Sequence, residues 1–191
     1  MKKQGNLYRS VLWVAAATAL ILMAPLAAMQ FTSEVDWSAG DFIIMGALIF
    51  GTGLAYVLLT RAAPGFAYRA AVALALGTTF LMIWANLAVG LIGSGPHAGN
   101  FMYMAVVSVV LIGTILARFQ AARMERVMYA ATLTLVLLAV IAFLAGMHRY
   151  PASSAAEILS VSGVFSALYL VAGSLFRYTA SREALPKQPS A

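Results

Sequence analysis

Six long apolar runs separated by short polar gaps dominate the hydrophobic pattern of this chain. They cover residues 10–29, 39–60, 68–93, 100–117, 127–146 and 155–176. A helix needs about 20 apolar residues to cross a ~30 Å hydrocarbon core, and these runs have that length. The alternation of apolar and polar positions that is typical of strands is absent. The pattern therefore predicts an all-α fold, a polytopic transmembrane helical bundle with six spans.

Short gaps favour antiparallel packing of neighbouring helices, so we expect a single transmembrane domain over residues 1–180. Residues 181–191 contain two prolines and are predicted to form a disordered cytoplasmic tail.

The first apolar run, residues 10–29, has a second interpretation. Lys2, Lys3 and the apolar and small residues that follow also resemble a secretory signal peptide, and cleavage after Ala28 would leave five spans.

The composition agrees with a lipid environment, and the charges predict an orientation. Hydrophobic residues make up 63% of the chain and charged residues only 9%. Eleven of the twelve Lys and Arg residues lie at the termini or in every second gap, and Arg149 is the exception. By the positive-inside rule, this distribution predicts a multi-pass protein of the cell inner membrane with both termini cytoplasmic.

The predicted orientation also explains the basic character of the chain. Four acidic residues and Arg149 give the outer face a net charge of −3, so the total of +6 leaves +9 on the cytoplasmic face. A basic cytoplasmic rim attracts the anionic headgroups of membrane lipids. We therefore expect lipid contacts and no nucleic-acid partner.

Two Ser-x-x-acid sequences lie at the starts of predicted helices. Ser38 is followed by Asp41, and Ser154 by Glu157. In a capping box of this kind, the hydroxyl and the carboxylate satisfy free N–H groups in the first helical turn. We assign all four residues to helix capping in preference to chemistry or transport.

Small residues recur at helical spacing along several spans, which is typical of helices that pack closely in lipid. The predicted packing positions are Ala47, Gly51, Ala55, Gly90, Gly113, Ser162, Ser166 and Gly173. The positions in the second span, Ala47, Gly51 and Ala55, form a stripe on one helix face, and self-association through this stripe is an alternative role. Aromatic residues near span ends predict an interfacial belt; they are Tyr8, Trp13, Trp37, Tyr68, Tyr103, Tyr129, Tyr150 and Tyr178.

Three residues are candidates for binding a ligand, pigment or ion. Asn86 lies inside the third span, where its amide needs polar partners, with Thr79 and Gly90 on the same helix face. His97 and His148 lie in the two outer gaps. No two histidines share a helix face, so we expect no metal site. For Asn86 an interhelical hydrogen bond is the simpler role, and contact with a ligand, pigment or ion is the alternative.

The sequence offers little for catalysis. Cysteine is absent, and no phosphate-binding loop or Glu-x-x-His sequence occurs. None of the six runs carries an ionisable side chain near its middle, unlike the spans of proton-coupled transporters. We therefore expect neither an enzyme nor a cofactor.

Four segments carry a family resemblance: Phe50-Gly-Thr-Gly-Leu-Ala-Tyr56, Tyr68-Arg-Ala-Ala-Val72, Trp84-Ala-Asn-Leu-Ala-Val-Gly90 and Ala117-Arg-Phe119. The stretch from Asp41 to Phe143 resembles a family of small uncharacterised bacterial integral membrane proteins with four helices. The resemblance implies a bacterial inner membrane and assigns no catalytic residue. Our leading functional hypothesis is an accessory or scaffold subunit of a larger membrane complex. The alternative is a channel or facilitator for a small neutral solute, lined by Thr79, Asn86 and Gly90.

Overall fold

The computed structural model describes residues 2–61, 65–93, 97–150 and 153–184, with side chains from residue 7 onward. Its regular structure in these ranges is helical throughout. The main helices are α1 (Lys2–Phe31), α2 (Ala39–Thr60), α3 (Phe66–Ala88), α4 (Tyr103–Ala117), α5 (Ala121–Leu144) and α6 (Ala155–Ala184), and short 3-10 helices cover Ala98–Met102 and Met147–Arg149. Six helical segments are long and apolar enough to cross a membrane. The predicted all-α polytopic fold is confirmed, and the chain is a multi-pass integral membrane protein.

Several helices do not end where the apolar runs of the sequence end. At its C-terminal end, α6 continues past residue 176 to Ala184, so the first four residues of the predicted disordered tail are helical. Residues 185–191 lie outside the described ranges. A hydropathy pattern marks only the apolar part of a helix, whereas backbone hydrogen bonding continues into polar flanks. By contrast, α3 is shorter at its C-terminal end than predicted, because it ends at Ala88 rather than near residue 93.

The chain forms two compact units, Met1–Arg61 and Ala62–Ala191. In the first unit, α1 packs against α2 at two glycines of α2. A Cβ built on Gly53 would lie 2.7 Å from Val14 Cγ1, and one built on Gly46 would lie 3.3 Å from Leu22 Cδ1. A compact unit is not by itself a domain, so the single domain over residues 1–180 stays a prediction.

In the second unit, α6 packs against α3 and α5, and α5 also packs against α4. Glycines again mark close approaches. A Cβ on Gly113 would lie 2.7 Å from Val127 Cγ1 of α5, and one on Gly173 would lie 2.6 Å from Tyr129 Cε1 of α5. Ser162 and Ser166 are buried in the same core. These four predicted packing positions therefore lie at or beside helix contacts.

Two tyrosines of the predicted aromatic belt are buried instead. Tyr68 is 4% exposed and Tyr103 is 3% exposed. The hydroxyl of Tyr68 donates to the carbonyl of Phe119 over 2.6 Å, and its ring meets Phe176 edge-on at 5.4 Å. The belt assignment is wrong for these two residues, because proximity to a span end does not distinguish an outward ring from an inward one. Trp13, at 70% exposed, fits the belt.

Candidate functional site

A groove of about 590 Å³ lies in the second unit, where α3 ends and α4 begins. We call it the α3–α4 groove. Its lining comes from the last turn of α3, the segment after it, the 3-10 helix Ala98–Met102 and the start of α4. The lining residues are Asn86, Leu87, Ala88, Val89, Gly90, His97, Ala98, Asn100, Phe101 and Met104. The groove therefore brings together two of the three predicted candidates for ligand binding, Asn86 and His97.

The end of α3 shapes one wall of the groove. Gly90 has a φ of +71°, in the left-handed region that glycine adopts without strain, and this conformation turns the chain out of the helix. The backbone N–H of Val89 still bonds to the carbonyl of Ala85. Gly90 was predicted to be a packing residue inside the third span. That assignment is wrong, because the residue ends the helix.

Asn100 fixes the segment that follows. Its Oδ1 accepts hydrogen bonds from the backbone N–H groups of Leu91 (2.9 Å) and Ile92 (2.8 Å). Its Nδ2 donates to the carbonyl of Ile92 over 3.2 Å. Ile92 is 1% exposed, so its backbone N–H and carbonyl have little access to water, and Leu91 is partly buried. One side chain thus replaces the helical partners that the turn out of α3 removes.

Asn86 connects α3 to the start of the next helix. Its Nδ2 donates to the carbonyl of Asn100 over 3.1 Å. Its Oδ1 is buried, and no described group donates a hydrogen bond to it. The link between elements that the sequence predicted as one role of Asn86 is therefore present. Among the residues that the structure describes, this buried acceptor of Asn86 is left without a partner.

His97 caps the 3-10 helix Ala98–Met102. Its Nδ1 accepts a hydrogen bond from the backbone N–H of Gly99 over 2.9 Å, which places the proton of the neutral ring on Nε2. A Cβ on Gly99 would lie 2.9 Å from that Nδ1 and 3.2 Å from Met147 Sδ. The ring of His97 also lies 4.6 Å from that of Tyr150. The α3–α4 and α5–α6 connections therefore meet beside the groove.

His148, the third predicted candidate, does not line the groove. Its ring stacks on Phe143 with the centroids 4.7 Å apart, and its Nδ1 is buried without a hydrogen bond from the described residues. Among the described residues, His, Cys, Asp and Glu form no group of three or more that could hold a metal ion. His148 therefore packs against Phe143 outside the lining to which Asn86 and His97 belong.

Asp41 and Glu157 act in helix caps. The Asp41 carboxylate accepts from the Ser38 N–H (2.8 Å) and hydroxyl (2.7 Å), and Asp41 N–H donates back to Ser38 Oγ. At the start of α6, the Ser154 N–H donates to Glu157 Oε2 over 2.6 Å, and the Glu157 N–H donates to Ser154 Oγ over 3.1 Å. Both boxes contain the reciprocal hydrogen bonds that their sequences predicted.

Thr79, the third residue of the proposed channel lining, lies in the core between α3 and α6. Its hydroxyl donates to the carbonyl of Ala75 over 2.8 Å and lies 2.8 Å from the Tyr169 hydroxyl. Because the Thr79 proton is already used, Tyr169 is the donor in this pair. Thr79 is therefore engaged away from the groove that Asn86 and Gly90 line.

Sequence reasoning missed three contributors to the groove. The sequence pattern did not single out Asn100, although Asn side chains commonly bind backbone groups in loops. Phe101 in the 3-10 helix and Met104 at the start of α4 supply apolar walls. Hydropathy marks such residues as lipid-facing and does not reveal that they border a concave surface.

No protein-family model, curated protein or solved structure matches this chain. The resemblance of residues 41–143 to a bacterial four-helix family therefore stays a prediction.

Proposed function

We propose that this protein is a non-enzymatic accessory subunit that attaches to a larger membrane protein through α2. The same proposal places it in a bacterial inner membrane with both termini cytoplasmic and its basic rim against anionic lipid headgroups. The observation that carries it is that α2 has two faces of small residues, of which α1 covers one.

The two faces lie on different sides of the helix. Gly46 and Gly53 contact α1. At about 100° per residue, Gly51 lies about 140° around the helix from Gly46, between Ala47 and Ala55. A Cβ built on Gly51 has nothing within 4 Å. Close packing against α1 therefore explains Gly46 and Gly53. Within the first unit Ala47 and Gly51 are exposed and Ala55 is partly buried, so α1 does not cover the Ala47 and Gly51 part of the stripe.

Glycine in a helix interior costs about 1 kcal/mol relative to alanine, and no close contact within the first unit offsets this cost at Gly51. In lipid, small residues let two backbones approach and associate through van der Waals packing. A helix that offers close-packing faces on two sides suits a position between two neighbours. In the proposed assembly, α1 is one neighbour and a transmembrane helix of the larger protein is the other.

The proposal is tested with a photo-crosslinking amino acid at Ala47, irradiated in native membranes. We expect one discrete adduct whose mass exceeds that of the 20.2 kDa chain by that of another membrane polypeptide. Gly51→Leu adds a large side chain to the face and should lower the adduct yield about tenfold, which corresponds to about 1.4 kcal/mol of contact energy.

Gly163→Leu is the matched control. Gly163 lies in α6, and a Cβ on it also has nothing within 4 Å, so this variant should leave the adduct unchanged. An adduct of two copies of the chain would contradict the accessory role in favour of self-association. Crosslinks to lipid alone would contradict both.

A further inference from the structure

The α3–α4 groove is large enough for a small ligand and carries no ionisable carboxylate, ammonium or guanidinium group. Its volume of about 590 Å³ falls within the usual range of small-molecule sites, about 300–1,000 Å³. None of its ten lining residues is Lys, Arg, Asp or Glu. A phosphate or another charged headgroup would therefore lose water without gaining an opposite charge from the lining. The groove is suited to a neutral molecule.

Two side chains of the lining offer hydrogen-bonding atoms without a described partner, one an acceptor and the other a donor. Asn86 Oδ1 is an acceptor to which no described group donates. His97 accepts at Nδ1, so its Nε2–H is a donor. A buried acceptor without a partner is costly. Oδ1 is sealed from solvent in this conformation, so a bound donor reaches it when the soft terminal torsion of the Asn86 amide turns, which exchanges the hydrogen bond from Nδ2 to the Asn100 carbonyl for one with the ligand.

The rest of the lining is apolar and continues onto the lipid-compatible surface of the helices. Leu87 on α3 is 60% exposed, Phe101 is 77% exposed, and Met104 on α4 is 49% exposed. Both helices belong to segments that are long and apolar enough to cross a membrane. A hydrocarbon chain that leaves the groove along these side chains would therefore stay in lipid.

We propose that the α3–α4 groove binds a neutral lipid that carries a free hydroxyl at its polar end, such as a diacylglycerol. A hydroxyl can donate to Asn86 Oδ1 and accept from His97 Nε2–H at the same time, which a ketone, ester or ether cannot do. The acyl chains lie along Leu87, Phe101 and Met104. This site lies in the second unit and is independent of the docking face of α2, so either proposal can fail without the other.

Photolabelling with three lipids that share the same diazirine-bearing acyl chains tests the site on the full-length protein in vesicles. They are a diacylglycerol, its 3-O-acetyl derivative and the corresponding phosphatidic acid. We expect the diacylglycerol to label residues 86–104 and the other two to label them at least about fivefold less, because each lacks the neutral free hydroxyl. His97→Phe, which removes the donor, should lower labelling by the diacylglycerol by a similar factor.

Met104→Trp places a larger side chain in the groove at its exposed edge and leaves Asn86 and His97 unchanged in sequence. It should lower labelling about tenfold. Leu111→Trp is the matched control. Leu111 is two turns further along the same face of α4, is 56% exposed and lies outside the groove, so labelling should be unchanged. Equal labelling by the acetylated lipid or by phosphatidic acid would overturn the proposal, as would labelling that survives Met104→Trp.

Discussion

Replacing Asn100 with leucine should destabilise the second unit by about 3 kcal/mol or more and open the segment after α3. The side chain satisfies Leu91 N–H, Ile92 N–H and the Ile92 carbonyl. Leucine has a similar volume but no polar atoms, so all three backbone groups lose their partner. Each buried group left unsatisfied costs about 1–3 kcal/mol. The loss should appear as a lower midpoint of unfolding in mild detergent.

Phe101→Ala provides the control for this substitution. Phe101 is adjacent in sequence but 77% exposed, and no hydrogen bond of the α3–α4 segment depends on its side chain. Its midpoint should stay within about 2 °C of the parent protein, against a fall of about 6–12 °C for Asn100→Leu. Equal midpoints for the two variants would show that Asn100 does not hold the segment.

Gly173→Leu should separate α6 from α5. A Cβ at this position would lie 2.6 Å from Tyr129 Cε1 and 3.2 Å from Met128 Cβ, and neither atom is the free end of a flexible chain. Either the helices move apart or the Tyr129 ring is displaced, and overpacking of this kind typically costs about 1–3 kcal/mol. We expect the midpoint of unfolding in mild detergent to fall by about 3–10 °C.

The same substitution at Gly163 isolates the effect of the contact. Both glycines lie in α6, but a Cβ on Gly163 meets nothing within 4 Å. Gly163→Leu should therefore be neutral or slightly stabilising, because leucine is the better helix former. A comparable fall in both variants would mean that glycine itself, rather than the close approach to Tyr129, matters at these positions.

The number and positions of the helices could be predicted from the sequence because a membrane span must be both long and apolar. The ends could not be predicted equally well. Hydropathy continued the third run to residue 93, whereas a φ of +71° at Gly90 ends α3 earlier. Glycine is common inside transmembrane helices as well as after them, so its identity alone did not show which role applied.

The candidate site was predicted in part. Asn86 stood out because an amide inside an apolar run needs partners, and His97 because histidine is rare in this chain. Asn100 was overlooked since its role depends on a turn that brings it back to Leu91 and Ile92. Tyr68 shows the same difficulty at the other end of α3, where its partner, the carbonyl of Phe119, is distant in sequence. Such pairings depend on tertiary packing, which periodicity does not encode.

Cysteine accessibility tests most directly whether the groove lies on the outer side of a membrane-spanning bundle. The chain has no cysteine, so a single introduced cysteine is the one thiol of this protein that a maleimide can label. Ala98 in the groove lining and Ala122 near the start of α5 are both exposed. With a membrane-impermeant maleimide, Ala98→Cys should react in intact cells and Ala122→Cys only after permeabilisation. The reverse pattern, or reaction of both residues in intact cells, would contradict the proposed topology.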